Sequence, residues 1–138
     1  MSVPLLIYCI VSASVYLLLV SALLLVIENR LKLAMSIPEE LREKTGFGWF
    51  MTNFIMEALF YVAIPSMAYS FFYIIFPLEG FRAGIAVALI AFTMGAVPFT
   101  MALSLRIKLS SAYVTFLLMG TLVKLGGSLA IIGYLYSL

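Results

Sequence analysis

Residues 110–138 have the sequence SSAYVTFLLMGTLVKLGGSLAIIGYLYSL, and Lys124 carries their only charged side chain. A helix needs about 20 apolar residues, with a rise of 1.5 Å each, to cross the hydrocarbon core of a bilayer. The stretch is long enough for one crossing. It therefore predicts a transmembrane helix over residues 110–137, and it raises the question of what neutralises an ammonium group placed inside that helix.

Three earlier stretches are also long and apolar. Val3–Ile27 and Ala83–Leu105 are uncharged, and Trp49–Phe76 has Glu57 as its only charged residue. Strands of a membrane barrel would be shorter and would alternate polar with apolar residues. The sequence thus predicts an all-α integral membrane protein, a single transmembrane domain over residues 1–138. Its four transmembrane helices form an antiparallel bundle with spans at about 3–27, 49–76, 83–105 and 110–137.

The composition supports this class and excludes others. Of the 138 residues, 65% are hydrophobic and 10% are charged, whereas soluble domains have about 25% charged residues. The chain has no histidine or aspartate and a single cysteine, Cys9, so it lacks the usual residues of a metal site or an internal disulfide. We expect no metal, no cofactor and no catalytic group. The net charge of +2 does not suggest a nucleic-acid partner.

The connections between the spans predict the topology. The longest, residues 28–48, contains Ser36-Ile37-Pro38-Glu39, a capping box that predicts one short cytoplasmic helix between helices 1 and 2. The other two, residues 77–82 and 106–109, are short, so helices 2, 3 and 4 are expected to be antiparallel neighbours.

Basic residues predict the orientation, because they favour the cytoplasmic side. The connection 77–82 has only Arg82, and neither terminus has a basic residue. We therefore expect both termini outside and connections 28–48 and 106–109 in the cytoplasm. These two connections hold six basic residues: Arg30, Lys32, Arg42, Lys44, Arg106 and Lys108.

Two residues predict bends within the spans. Pro65 and Pro98 are central in the second and third segments. Each proline removes a backbone hydrogen bond and should kink its helix. Such kinks either shape the packing or serve a moving part.

The charged residues inside the spans form the candidate site. Asn53, Glu57 and Tyr61 are four residues apart and lie on one helical face. Lysine's long stem reaches back toward the helix start, so Lys124 and Glu57 are expected at similar depth. An unpaired charge at the bilayer centre costs roughly 2.5–3.5 kcal/mol on insertion scales. We therefore expect Lys124 to pair with Glu57, with Asn53, Tyr61 and Thr121 as hydrogen-bonding partners.

Small residues predict how the last helix packs. Gly120 and Gly127 share a face with Lys124, and Gly126 and Gly133 lie on a second small face. Small residues allow close helix approach in lipid. Two such faces predict that this helix is packed on two sides.

Two functions follow as hypotheses. The first is a non-catalytic structural or accessory subunit of a membrane complex, or a homo-oligomer, with Glu57 and Lys124 as a packing clasp. The second is a small oligomeric transporter or channel that uses these two residues to couple ions or protons, since ionisable residues within spans often mark such pathways. Its expected partners are the lipid bilayer and other membrane subunits or further copies of the chain.

Overall fold

A computed structural model of the protein describes residues 3–32, 46–72, 74–75, 77–107 and 109–137. Four long helices account for most of these residues, and the described ranges contain no β-strand. All four helices are long and apolar enough to span a membrane. The predicted capping box at Ser36–Glu39 lies outside the described residues.

The first helix, α1, covers Val3–Leu31. It runs four residues past the predicted end at Ile27, so it includes Glu28. The second, α2, covers residues 47–72 as three consecutive segments, Phe47–Ala58, Leu59–Ala63 and Ile64–Phe72. The third, α3, covers residues 81–106 as Phe81–Ala91, Phe92–Ala96 and Val97–Arg106, and the fourth, α4, covers Ser111–Tyr136.

The helix starts have local causes. Ser110 caps α4, because its side chain accepts a hydrogen bond from the backbone N–H of Tyr113 at 3.2 Å. Gly80 precedes α3 with φ 66°, a left-handed conformation that costs a glycine little. The chain therefore turns at Gly80 immediately before α3 begins.

The middle segments of α2 and α3 are π-helical, and each ends two residues before a proline. The N–H of Ile64 bonds to the carbonyl of Leu59, and the N–H of Val97 bonds to the carbonyl of Phe92. A proline ring collides with the carbonyl four residues earlier in a regular α-helix. A wide turn in front of Pro65 and Pro98 is a known way to accommodate that collision.

Helix α4 is the central element of the described structure, because it packs against each of the other three helices. Among the described residues, helix α3 packs extensively only on α4, whereas α2 lies against both α1 and α4. The described residues of α2 and α3 make no extensive contact with each other. The expectation that helices 2 and 3 are neighbours is therefore wrong for the described residues: a short connection limits the distance between helix ends but does not determine which faces meet.

Glycines determine the closest approach of α3 and α4. A Cβ added to Gly84 would overlap the backbone of Leu129, and one added to Gly133 would lie 2.6 Å from the carbonyl oxygen of Gly80. The two backbones are therefore in direct contact at both levels. The core contains Cys9, Ala13, Leu17, Val62, Tyr69, Ala83, Ala88, Leu125, Leu129 and Ile132.

Candidate functional site

Lys124 of α4 and Glu57 of α2 form an ion pair. Lys124 Nζ lies 2.6 Å from Glu57 Oε1 and donates a hydrogen bond to it. The two side chains are 15% and 16% exposed, respectively. A pair so far removed from solvent is screened much less than a surface pair, and breaking it leaves one charge without compensation.

A third helix completes the site. Ser21 of α1 is 4% exposed, and its hydroxyl donates to Glu57 Oε2 at 3.1 Å. Each carboxylate oxygen of Glu57 therefore accepts a hydrogen bond from a different helix. Sequence reasoning did not connect Ser21 with Glu57, because α1 is apolar on every side and its residue pattern does not show which face points inward.

A second carboxylate lies near the same lysine. Glu28 on α1 is partly buried, lies within electrostatic range of Lys124 and is within hydrogen-bonding reach of the Tyr113 hydroxyl on α4. The sequence predicts that Glu28 lies in the connection, because it is the first charged residue after the apolar run that ends at Ile27. The extension of α1 to Leu31 is what brings this side chain alongside α4.

The other predicted members of the cluster differ in their placement. The side chain of Tyr61 is within hydrogen-bonding reach of Thr121 and within electrostatic range of the Glu57 carboxylate. The Thr121 hydroxyl itself donates back to the carbonyl of Leu117 at 2.8 Å. Asn53 is half-buried, and its side chain forms no hydrogen bond with any described residue. The structure thus brings Glu57, Lys124, Tyr61 and Thr121 together, whereas Asn53 forms no hydrogen bond with them.

Tyr16 of α1 packs against α4 next to the ion pair. Its hydroxyl donates to the carbonyl of Val123 at 2.9 Å. A Cβ at Gly127 would overlap the tyrosine ring, so this glycine creates the space that the ring fills. The sequence pattern predicts a packing role for Gly127 but does not show that Tyr16 is the residue that faces it.

The remaining packing glycines are not equivalent. Gly120 faces Leu24, which lies 3.3 Å from where a Cβ would stand. Gly133 faces the start of α3, as described above. At Gly126 an added Cβ meets nothing within 4 Å, so this glycine does not mediate a helix contact with the described part of the chain. Gly84, which the sequence did not single out, is in direct contact with the backbone of α4 at Leu129.

The chemistry of the site follows from these partners. Lys124 is paired with Glu57 and lies within electrostatic range of Glu28. The hydroxyls of Ser21, Tyr16 and Thr121 donate to carboxylate or backbone oxygens nearby. Within the described residues, no group of three or more His, Cys, Asp or Glu side chains is arranged to hold a metal ion. The arrangement can fix the register of three helices, and it can also hold or move a positive charge between two acids.

Comparison with known protein families, with curated proteins and with solved structures finds no match for this chain.

Proposed function

We propose that the chain crosses a membrane four times as an antiparallel bundle and acts without catalysis, as a structural or accessory subunit of a membrane complex or of a homo-oligomer. The Glu57–Lys124 pair serves in it as a packing clasp. Its termini lie outside, and connections 28–48 and 106–109 lie in the cytoplasm, as the distribution of basic residues predicts.

The order in which residues of one helix meet residues of another supports the antiparallel bundle. Glu57 meets Lys124, and the rings of Tyr69 and Tyr136 lie 5.3 Å apart between centroids. Both pairs are 67 positions apart (124 − 57 and 136 − 69), which is expected when α2 and α4 run in the same direction. By contrast, Gly80 and Gly84 meet Gly133 and Leu129 in reverse order, which is expected for oppositely directed helices.

The observation that carries the clasp is the pairing of both carboxylate oxygens of Glu57. The two oxygens accept from two different helices, α1 and α4, so each oxygen of the acid has a hydrogen-bond partner inside a single chain. A buried pair is weak evidence for net stability, but it discriminates strongly against misaligned arrangements in which either charge is left alone. An ion pair that fixes the arrangement of the helices is suited to a protein that presents a defined surface to a partner.

The exposed surface supports a subunit role. Large apolar side chains are exposed along α2 and α3, among them Phe60, Phe71, Leu89 and Met94. In a bilayer such surfaces contact lipid or other transmembrane helices. With four helices and little chain outside them, the protein has most of its surface available for these two kinds of contact.

The test combines charge reversal with native mass spectrometry of the protein extracted from its own membranes in a mild detergent. Glu57→Lys and Lys124→Glu should each abolish most of the assembled species, because breaking a buried pair costs about 3–5 kcal/mol. The double variant should recover it. Arg82→Glu, at an exposed position, is the matched charge reversal and should leave assembly intact. A double variant no better than the singles would contradict direct pairing, and a monomer without any partner would contradict the subunit role.

One observation favours the second candidate, a small oligomeric transporter or channel. Lys124 lies in the field of Glu28 as well as in contact with Glu57, so a positive charge has two acids at different levels of the bundle. If this pair of acids couples transport, Glu28→Gln should reduce ion or proton flux in reconstituted vesicles as strongly as Glu57→Gln. Wild-type protein without measurable flux would eliminate this candidate.

A further inference from the structure

The described helices are packed more tightly on one side of the Glu57–Lys124 pair than on the other. On α1 the buried residues end at Ser21, and on α2 they begin at Val62. On α4 all of them except Gly120 follow Lys124. Those of α3 lie in its first segment, which contacts the second half of α4. In the proposed orientation, the buried interior of these helices therefore lies almost entirely between the ion pair and the outer side.

The first segment of α2, Phe47–Ala58, does not approach α4 closely. It contains no buried residue, and its backbone makes no extensive contact with the described residues of α4, whereas the two later segments of α2 do. The ion pair bridges this distance because both of its side chains are long. A region that we call the inner cleft therefore separates this segment from the first half of α4. It is bordered by five partly buried polar side chains: Glu28, Asn53, Glu57, Tyr113 and Lys124.

The inner cleft has polar groups from the cytoplasmic end of the bundle to the ion pair. Glu28 and the Tyr113 hydroxyl are within hydrogen-bonding reach of each other near the cytoplasmic end. Asn53 lies one helical turn before Glu57 on the same face of α2. Ionisable residues within spans almost always face the bundle interior or a water-filled cavity. Because the described helices place no buried layer between these groups and the cytoplasmic end, water from that side can reach them.

Two acids share one lysine in the inner cleft. With all three groups ionised, Glu28, Glu57 and Lys124 carry a formal charge of −1 (−1 − 1 + 1). Lys124 is in contact with Glu57 but only within electrostatic range of Glu28, so the charge of Glu28 is the less compensated one. A net charge inside a span is costly, and one proton on Glu28 makes the group neutral.

The other titratable neighbours of Glu28 do not replace that proton. From α4, Lys124 and the Tyr113 phenol act on it, and the one charged side chain of the described part of α2 is already paired with the same lysine. On its own helix, Arg30 follows two positions later on the opposite side of α1, and Lys32 lies past the end of the helix. Both of these cations are exposed, so they remain with the cytoplasmic water.

We propose that the inner cleft is a proton-binding site, in which water reaches Glu28 and the ion pair from the cytoplasmic side and Glu28 holds one proton. A hydronium ion gives its proton to a carboxylate oxygen of Glu28; a new O–H bond forms, water is left, and Lys124 keeps its charge against Glu57. Toward the outer side, the fully buried side chains of Leu17 and Val62 separate the site from water. This inference rests on the proposed four crossings and their orientation, and it holds for a subunit as well as for a transporter.

Cysteine labelling in oriented membrane vesicles tests the access. In a Cys9→Ala background, Asn53→Cys should react with a membrane-impermeant thiol reagent from the cytoplasmic side, because a thiol must meet water to form the reactive thiolate. Ile55→Cys is the matched control, since Ile55 is 61% exposed at nearly the same depth but on the opposite side of α2. Ser66→Cys, beyond the ion pair and fully buried, should react from neither side. No reaction at Asn53→Cys, or an equal reaction at Ile55→Cys, would overturn the proposal.

Infrared spectroscopy of the protein in reconstituted bilayers tests the proton. The carbonyl stretch of a protonated carboxylic acid, recognised by its shift in D₂O, should be present at neutral pH and absent in Glu28→Gln. Glu57→Gln should also remove it, because Lys124 then has Glu28 as its acid and the pair is neutral without a proton. Glu79→Gln, at an exposed position outside the helices, should leave the band unchanged. A wild-type protein without the band, or a band that Glu28→Gln leaves intact, would overturn the proposal.

The outcomes also separate this inference from the proposed roles. A stable complex with other polypeptides, with neither the labelling nor the carboxylic-acid band, would overturn the proton site and leave the subunit role standing. Labelling and the band in a protein without any partner would support the proton site and contradict the subunit role. Labelling of Asn53→Cys from the outer side alone would overturn the cytoplasmic access together with the proposed orientation.

Discussion

At the scale of single residues, Ser21 and Ser128 are both deeply buried but differ in their hydrogen bonding. The Ser21 hydroxyl donates to Glu57, whereas the Ser128 hydroxyl has no partner in the described structure. A hydrogen bond between helices in a membrane contributes about 0.6 kcal/mol on average and up to about 1.7. An unpaired buried hydroxyl contributes nothing favourable and costs its desolvation.

We therefore predict that Ser21→Ala destabilises the folded protein by about 1 kcal/mol, while Ser128→Ala is neutral or stabilising. The two variants remove the same atom from equally buried sites, so each is the control of the other. Unfolding by titration with a denaturing detergent, followed by circular dichroism, measures both. Equal destabilisation by the two changes would mean that side-chain volume, and not the bond to Glu57, determines the loss.

Residue spacing was sufficient to relate Glu57 to Lys124, since both lie in otherwise uncharged spans and lysine's reach brings the two charges to similar depth. It was insufficient for Ser21 and Glu28. A helix that is apolar on all sides has no periodicity from which to infer its inner face, and a charge near a span end is compatible with either side of the boundary. Those two assignments required the contacts between helices.

At the scale of elements, hydrophobic length alone predicted the four helices, because few other structures satisfy the backbone of a long apolar segment. The prolines predicted the positions of irregularity but not its form, since a kink, a bulge or a π turn can each relieve the same clash. Gly84 was not distinguished from other glycines in the sequence. Its importance comes from the backbone of Leu129, which faces it from a residue far along the chain.

The contrast between glycines gives a prediction for the α3–α4 contact. Gly84→Ala places a Cβ against backbone that cannot rotate away, so the helices must separate, and we expect a loss of stability of about 1–3 kcal/mol. Gly126→Ala enters open space and gains helix propensity, so it should be neutral or slightly stabilising. The same detergent titration compares them. A Gly84→Ala protein as stable as the wild type would show that α3 does not approach α4 this closely.

At the scale of the whole molecule, the four helices are held in unequal ways. Helix α3 is attached to α4 through direct backbone contact at glycines, and α1 through the Tyr16 ring and the residues around it. Helix α2 has no such glycine contact among the described residues; the ion pair and the Ser21 bond hold its first half, and Val62 and the Tyr69–Tyr136 ring contact lie in its second half. Loss of the ion pair should therefore act on one helix more than on the others.

Lys124→Met should test this, because it leaves the Glu57 carboxylate with Ser21 as its remaining hydrogen-bond donor. We predict that hydrogen exchange in the first half of α2, Phe47–Ala58, rises at least tenfold, while exchange in α3 and in the second half of α4 stays near the wild-type rate. Adding Glu57→Gln to Lys124→Met should restore much of the protection, since the buried charge is then gone. Arg82→Met, which removes an exposed cation, should change nothing. Exchange that rises evenly over all four helices would show that the ion pair supports the bundle as a whole and does not specifically hold α2.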